Sequence, residues 1–180
     1  TKETNHTNQE IQLKAKEANQ YCIDHGFDTT FCILIDMKVP SGKYRFFTWD
    51  FTSNTIVDQS LCSHGSCANI ELPNGEKLPY FTNQPNSYCS SLGKYKIGKR
   101  GYSNYGIHVN YKLHGLEATN SNAFDRIIVL HSFDGLSENE IFPNKAMTSW
   151  GCPAVSNEMM KRIDAKLQKT EKPVLLWIYN

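Results

Sequence analysis

The chain has almost no net charge, no long apolar run and no Cys-x-x-Cys pair. Its 19 Lys and Arg against 18 Asp and Glu leave a formal net charge of +1, so no overall positive field attracts nucleic acid or an anionic membrane. The longest apolar stretch runs from Val174 to Tyr179, far short of the roughly 20 residues that span a bilayer. We therefore expect no nucleic-acid partner and no transmembrane segment.

Glycine and proline are also too few for a low-complexity polymer, whereas 39% of the residues are apolar and 12% are aromatic. A chain of 180 residues with this composition predicts one folded domain. The polar residues 1–9 have nothing to bury and predict a mobile leader, which leaves residues 10–180 as the domain. Thr1 follows neither an initiator Met nor a signal-peptide pattern, as in a mature product or a trimmed chain. We expect a monomer.

Hydrophobic periodicity predicts two helices and a mainly antiparallel β-sheet. Ile11, Ala15, Ala18 and Cys22 share one face of a helix over residues 10–25, and Ser156 caps a second helix with Met160, Ile163 and Leu167 on its apolar face. Strands are predicted at residues 31–36, 44–50, 56–61, 105–114, 127–131 and 174–179. Residues 63–87 are predicted to form loops. The fold class is therefore mainly β.

A cysteine and a histidine are the candidates for chemistry. Cys152 follows Gly151 and precedes a predicted helix, where amides and the helix dipole favour a thiolate. His131 ends a buried strand, and Cys with His is the minimal pair for acyl transfer. The alternative is that Cys152 is a small buried hydrophobic residue and His131 is a hydrogen-bonded histidine at a strand end.

The spacing of these residues is more specific than their types. Seventeen residues separate His131 from Ser149-Trp150-Gly151-Cys152. This spacing resembles the L,D-transpeptidase catalytic domain of the YkuD type, in the branch with Trp150 in place of a second histidine. Further motifs of that branch follow in order from about residue 31 to residue 180: Ile35-Asp36, Pro40-Ser41-Gly42, Ser63-His64-Gly65-Ser66, Phe81-Thr82-Asn83, Ser90-Ser91-Leu92-Gly93, His114-Gly115-Leu116-Glu117, Asn120 to Ala123 and Arg126 to His131.

This resemblance implies an antiparallel β-sandwich or barrel with an N-terminal helix and a C-terminal helix after the cysteine. It implies a bacterial enzyme, exported to the periplasm or cell envelope, that needs no cofactor. Its cysteine attacks a peptidoglycan tetrapeptide stem, expels D-alanine and passes the acyl group from a thioester to an amine on a second stem or a wall-linked protein. With water as the acceptor, the same site is an L,D-carboxypeptidase.

The resemblance also implies residue roles. Cys152 is the nucleophile, His131 moves its proton, and the amides of Gly151 and Cys152 donate to the oxyanion. A main-chain carbonyl holds the histidine, and Ser132 is its candidate source. The expected substrate-binding residues are His64, His114, Trp150, Ser149 and Ser132.

Other interpretations stay open. A catalytically silent wall-binding module is one, although it needs neither Cys152 nor His131. Cys62, His64 and Cys67, with His114 as a fourth ligand, match no known zinc spacing, so we expect no metal and prefer a Cys62–Cys67 disulfide or free thiols. Arg126 next to Asp125 is interpreted as a surface ion pair or as a partner for a stem carboxylate.

Overall fold

A computed structural model describes the backbone of residues 2–180 and the side chains of residues 9–180. The side chains of the predicted leader, residues 1–9, lie outside the description except for Gln9, but the backbone of residues 2–9 belongs to the first helix, which begins at Lys2 rather than at the predicted residue 10. The elements in chain order are α1 (Lys2–His25), β1 (Phe31–Asp36), β2 (Phe46–Asp50), β3 (Thr55–Ser60), a short 3₁₀ turn (Pro73–Gly75), β4 (Gly93–Tyr102), β5 (Val109–Gly115), β6 (Val129–Ser132), β7 (Ala154–Val155), α2 (Asn157–Leu167) and β8 (Leu175–Tyr179).

All eight strands form one sheet in the order β3-β2-β1-β8-β4-β5-β6-β7. Most neighbours are antiparallel, as predicted, but β1 with β8 and β6 with β7 are parallel. The second parallel pair sets His131 opposite Ala154, two residues after Cys152. The sheet register therefore brings the end of β6 beside the cysteine turn.

The two faces of the sheet bury separate apolar clusters, because side chains alternate along each strand. On one face, Ile11, Ala15, Ala18 and Cys22 of α1 pack on Leu34 and Trp177 among others. On the other face, α2 contributes Met159, Met160, Ile163 and Leu167. Ser156 caps α2 as predicted, since its Oγ accepts from the Met159 N–H.

Helix α2 contacts both β3 and β6, which stand near opposite ends of the strand order. The sheet must curl around α2 to allow this, and it forms a near-barrel. Ion pairs join the helix to the sheet on both sides, from Arg162 to Asp58 at 2.9 Å and from Arg100 to Asp164 at 2.8 Å. The mainly β fold with two helices is therefore confirmed. Among the described residues, no helix has both the length and the apolarity to cross a membrane.

Several strand predictions were incomplete: the two-residue β7 was not predicted, and the strand predicted at residues 127–131 runs instead from Val129 to Ser132. Strand β4 was missed, because its lysines and glycines hide the pattern in which only Gly93, Tyr95 and Ile97 are buried. The strand predicted at residues 105–114 begins instead at Val109. Residues 103–108 form the loop of the β4–β5 hairpin, closed by Ser103 N–H donating to the His108 carbonyl, and His108 has a positive φ of 61°.

The predicted disulfide between Cys62 and Cys67 is wrong. Cys67 pairs with Cys89, and Cys62 is a free thiol buried in the core beneath the sheet. Cys89 is the partner because the backbone of Cys67 runs along the segment that carries it, with the Cys67 N–H donating to the Tyr88 carbonyl at 3.1 Å. The disulfide therefore ties two loops together rather than closing a tight turn.

Peptide mapping of the oxidised protein without reduction should yield a linked Cys67–Cys89 pair, with Cys62 labelled only after denaturation because it is buried. Replacing both Cys67 and Cys89 by Ala should lower the free energy of unfolding by about 3 kcal/mol, since the bridge closes a loop of 22 residues. Urea denaturation measures this loss. A linked Cys62–Cys67 peptide would contradict the assignment.

Candidate active site

One pocket of about 370 Å³ holds both residues of the predicted catalytic pair. Cys152 and His131 line it, and the rest of its wall is mainly apolar and aromatic: Ser63, Tyr105, Phe133, Leu136, Met147, Thr148, Ser149, Trp150 and Ala154. The fold thus brings β6, the turn before β7 and the β4–β5 loop to a common cleft.

The His131 ring is fixed in one orientation. Its Nδ1 lies 2.9 Å from the Ser132 carbonyl, the group that the resemblance implied. A carbonyl only accepts hydrogen bonds, so Nδ1 carries the proton and Nε2 keeps its lone pair in the neutral ring. Tyr105 covers the imidazole, with ring centroids 5.7 Å apart. This tautomer suits a base that acts through Nε2.

The loop that carries Tyr105 is packed closely on Ser132. Ile107 N–H donates to Ser132 Oγ at 3.0 Å. At Gly106, which has a φ of +57°, a Cβ would lie 2.0 Å from the same hydroxyl oxygen. Glycine is therefore required for the loop to approach β6 and hold Tyr105 over His131.

The Cys152 thiol lies against backbone polar groups. Its Sγ accepts from Val129 N–H at 3.4 Å and donates to the Ile127 carbonyl at 3.8 Å. Burial raises the pKa of this thiol above its usual value, while the Val129 N–H and the charges of Arg126 and Lys112 lower the pKa and offset part of that effect. Burial thus opposes the thiolate that the sequence analysis expected at this position.

Burial also lowers the pKa of His131, against the opposing effect of the Ser132 carbonyl. Raised thiol pKa and lowered imidazole pKa both favour neutral side chains. Among the described residues, no hydrogen bond joins Cys152 Sγ to His131. The two side chains therefore share the pocket without a direct hydrogen bond.

The turn that carries the cysteine requires glycine. Gly151 has a φ of +108°, and a Cβ there would lie 2.7 Å from the Cys89 carbonyl oxygen. Ser149 Oγ donates to the Cys152 carbonyl at 2.6 Å and accepts from Gly151 N–H at 3.2 Å. Ser63 Oγ also donates to the Cys152 carbonyl, at 3.3 Å.

This arrangement leaves the two expected oxyanion donors, the amides of Gly151 and Cys152, unequally available. The Gly151 N–H is engaged by Ser149, whereas the Cys152 N–H has no hydrogen-bond partner in the part of the chain that the structure describes. The Cys152 amide is therefore the more available donor. Ser149, expected to bind substrate, lines the pocket and also bonds to the turn itself.

Trp150 is the expected substrate-binding residue with the most exposed surface. It is 68% exposed at the pocket wall. One face of its indole stacks on Tyr88, with ring centroids 5.3 Å apart and planes at 18°. The indole thus has a fixed orientation next to the turn that carries Cys152.

His64 lies outside the pocket wall. It is buried, and its Nδ1 accepts from the Arg45 guanidinium at 2.8 Å. Burial first, then the charge of Arg45, lowers the pKa of His64 to about 4. Its carbonyl accepts from Ser149 N–H at 2.8 Å. The contact of His64 with the site therefore runs through its backbone.

His114 is also absent from the pocket wall. It lies on β5 and stacks on Phe124, with ring centroids 4.6 Å apart. Burial and Lys96 lower its pKa. The structure therefore does not bring His114 to Cys152 and His131.

The interpretation of Arg126 as half of a surface ion pair is wrong, whereas its role as a partner for a stem carboxylate stays a prediction. It makes no ion pair with Asp125; its guanidinium instead donates to the carbonyls of Thr82 and Cys89 and to the hydroxyls of Ser87 and Ser91. Its sequence neighbours gave no sign of this, since all four acceptors lie far along the chain. The positive charge also favours the Cys152 thiolate.

The alternative set of zinc ligands, Cys62, His64, Cys67 and His114, is not brought together as a metal site. Cys67 is oxidised in a disulfide, which removes it as a thiolate ligand. Within residues 9–180, no three His, Cys, Asp or Glu side chains are grouped so that they could hold a metal ion.

Comparison with solved structures gives similar folds at low identity. An L,D-transpeptidase of Xylanimonas cellulosilytica is 14% identical over 89% of this chain and 68% of its own, with a TM-score of 0.48. Bd1075 of Bdellovibrio bacteriovorus is 14% identical over 86% and 49%, with a TM-score of 0.50. The helical cell shape determining protein of Campylobacter jejuni is 13% identical over 84% and 48%, with a TM-score of 0.49. The chain thus spans about two thirds of the first protein and about half of the other two.

Sequence comparison identifies the family. No curated protein matches the sequence. The family model of the L,D-transpeptidase catalytic domain matches residues 3–179, which is nearly the whole chain and includes His131 and the Ser149–Cys152 turn. The chain therefore belongs to the L,D-transpeptidase catalytic domain family.

Proposed function

We propose that this protein is a cysteine acyltransferase that acts on peptidoglycan tetrapeptide stems. The observation that carries the proposal is the shared pocket of Cys152 and His131, in which the imidazole is oriented with Nε2 as the free base. A silent wall-binding module needs neither that tautomer nor a thiol at the pocket wall.

The first half-reaction forms a thioester. His131 Nε2 takes the proton of the Cys152 thiol as sulfur attacks the carbonyl of the third stem residue. The Cys152 N–H stabilises the oxyanion of the tetrahedral intermediate. That intermediate collapses, the C–N bond breaks, and His131 returns the proton to the amine of the departing D-alanine.

The second half-reaction transfers the acyl group. An amine of a second stem or of a wall-linked protein gives a proton to His131 and attacks the thioester carbonyl. Collapse breaks the C–S bond, and the proton returns to sulfur. The apolar wall with Tyr105, Phe133 and Met147 limits the water around the thioester, which favours an amine over hydrolysis.

The substrate also defines where the protein works. Peptidoglycan stems lie outside the bacterial cytoplasm, so we place the protein in the periplasm or cell envelope, where the Cys67–Cys89 disulfide is stable. Exposed Trp150 supplies an apolar surface for the stem beside Cys152.

Replacing Cys152 by Ala should abolish D-alanine release from a disaccharide tetrapeptide, because no nucleophile remains. The thermal midpoint should change little, since the thiol is half-buried at a pocket wall. Chromatographic assay of D-alanine measures the loss. Cys22→Ala is the matched control, as it removes a buried thiol on the α1 face and should keep turnover. Appreciable release by Cys152→Ala would reject the proposed nucleophile.

Alkylation of Cys152 by iodoacetamide should rise with pH through a midpoint above that of an ordinary cysteine, about 8.5. The sign follows from burial, which raises the thiol pKa and so lowers the thiolate fraction at neutral pH. N-acetylcysteine provides the reference and Cys152→Ala the background. An alkylation rate that already reaches its plateau at about pH 6 would indicate a thiolate–imidazolium pair instead.

A further inference from the structure

A buried serine connects three segments of the chain at the turn formed by Ser149–Cys152. Ser90 is 1% exposed. Its Oγ accepts from Gly65 N–H at 2.9 Å and donates to the Gly151 carbonyl at 3.0 Å. Both partners are backbone groups, so one hydroxyl fixes the distance between the loop that precedes Cys67 and the turn that ends in Cys152.

The bond to the Gly151 carbonyl determines where the next amide points. The Gly151 C=O and the Cys152 N–H belong to one planar trans peptide and point in opposite directions. A C=O that is bound to Ser90 therefore directs the Cys152 N–H away from this buried hydroxyl. Because Ser149 engages the Gly151 N–H, the peptide plane that Ser90 holds is the one with the unengaged donor.

Without the bond from Ser90, the peptide plane between Gly151 and Cys152 would rotate more freely than most peptide planes. Gly151 has no side chain and a φ of +108°, and glycine explores a wider range of backbone angles than other residues. The hydrogen bond from the Ser90 hydroxyl to the Gly151 carbonyl restricts that rotation.

Ser90 is itself held firmly. The neighbouring Cys89 is bonded to Cys67, and its carbonyl accepts from Arg126 at 2.5 Å. The Ser90 carbonyl accepts from Thr82 N–H at 3.0 Å. A group that positions another must be immobile, and these bonds on both sides meet that condition.

We propose that Ser90 is a positioning residue that aims the Cys152 N–H at the oxyanion of the tetrahedral intermediate. The inference rests on the proposed function, in which Cys152 is the nucleophile. Ser90 touches neither the substrate nor the thiol, and it acts only through the Gly151–Cys152 peptide.

The test compares two reactions of the same thiol. Attack on a stem carbonyl needs the oxyanion donor, whereas alkylation by iodoacetamide displaces iodide and forms no oxyanion. Ser90→Ala should slow single-turnover acylation by the disaccharide tetrapeptide by at least about tenfold. The loss should not exceed the roughly 10²–10³-fold observed when an oxyanion donor is removed outright. Alkylation of Cys152 should stay within about twofold, since the thiolate fraction is unchanged.

Two further variants control for packing. Ser60→Ala removes another buried hydroxyl, on β3, that has no hydrogen-bond partner in the described part of the chain, and it should leave both rates unchanged. Ser90→Thr keeps the hydroxyl and should recover most of the acylation rate. Rates are normalised to the folded fraction measured by circular dichroism.

The outcomes separate the two proposals. Unchanged acylation in folded Ser90→Ala, or an equal fall in acylation and alkylation, would overturn the role of Ser90. If Ser90→Ala does not fold, loss of acylation in folded Ser90→Thr would overturn it. Turnover that persists in Cys152→Ala rejects the nucleophile itself, whatever Ser90 does.

Discussion

The site depends on the pairing of the segment that carries Cys152 with the segment before Cys67. Ser63 N–H donates to the Ala154 carbonyl at 2.9 Å, Ser149 N–H donates to the His64 carbonyl at 2.8 Å, and Ser66 N–H donates to the Ser149 carbonyl at 2.8 Å. These bonds join two loops that are more than 80 residues apart in the printed sequence. They hold the cysteine turn on the same side as the end of β6, so the histidine and the thiol reach one pocket.

The buried guanidinium of Arg45 stabilises the segment before Cys67 that takes part in this pairing. Arg45 is almost fully buried and donates to the Cys62 carbonyl at 2.6 Å and to the Val39 carbonyl at 3.2 Å, besides its contact with His64. A buried guanidinium needs such acceptors, because an unpaired charge in the interior is costly. The result is a loop whose backbone is fixed by a cation that lies outside the pocket wall.

The sequence could predict the features that depend on local pattern or on a spaced motif. Ile11, Ala15, Ala18 and Cys22 mark one face of α1, and Ser156 marks the start of α2. The family resemblance, now confirmed by the match over residues 3–179, pointed to Cys152 and His131.

What could not be predicted depends on contacts between distant segments. Arg126 and Ser90 bond to groups that only the fold brings near, and Cys67 pairs with Cys89 for the same reason. Burial of Cys152, which a motif does not reveal, raises the pKa of its thiol and so opposes the expected thiolate.

The central claim is a thioester on Cys152, and acid-quenched mass spectrometry of the protein mixed with disaccharide tetrapeptide tests it most directly. The peptide that contains Ser149–Val155 should gain the mass of the substrate less D-alanine. D-alanine release accompanied by an adduct on another residue would contradict the account.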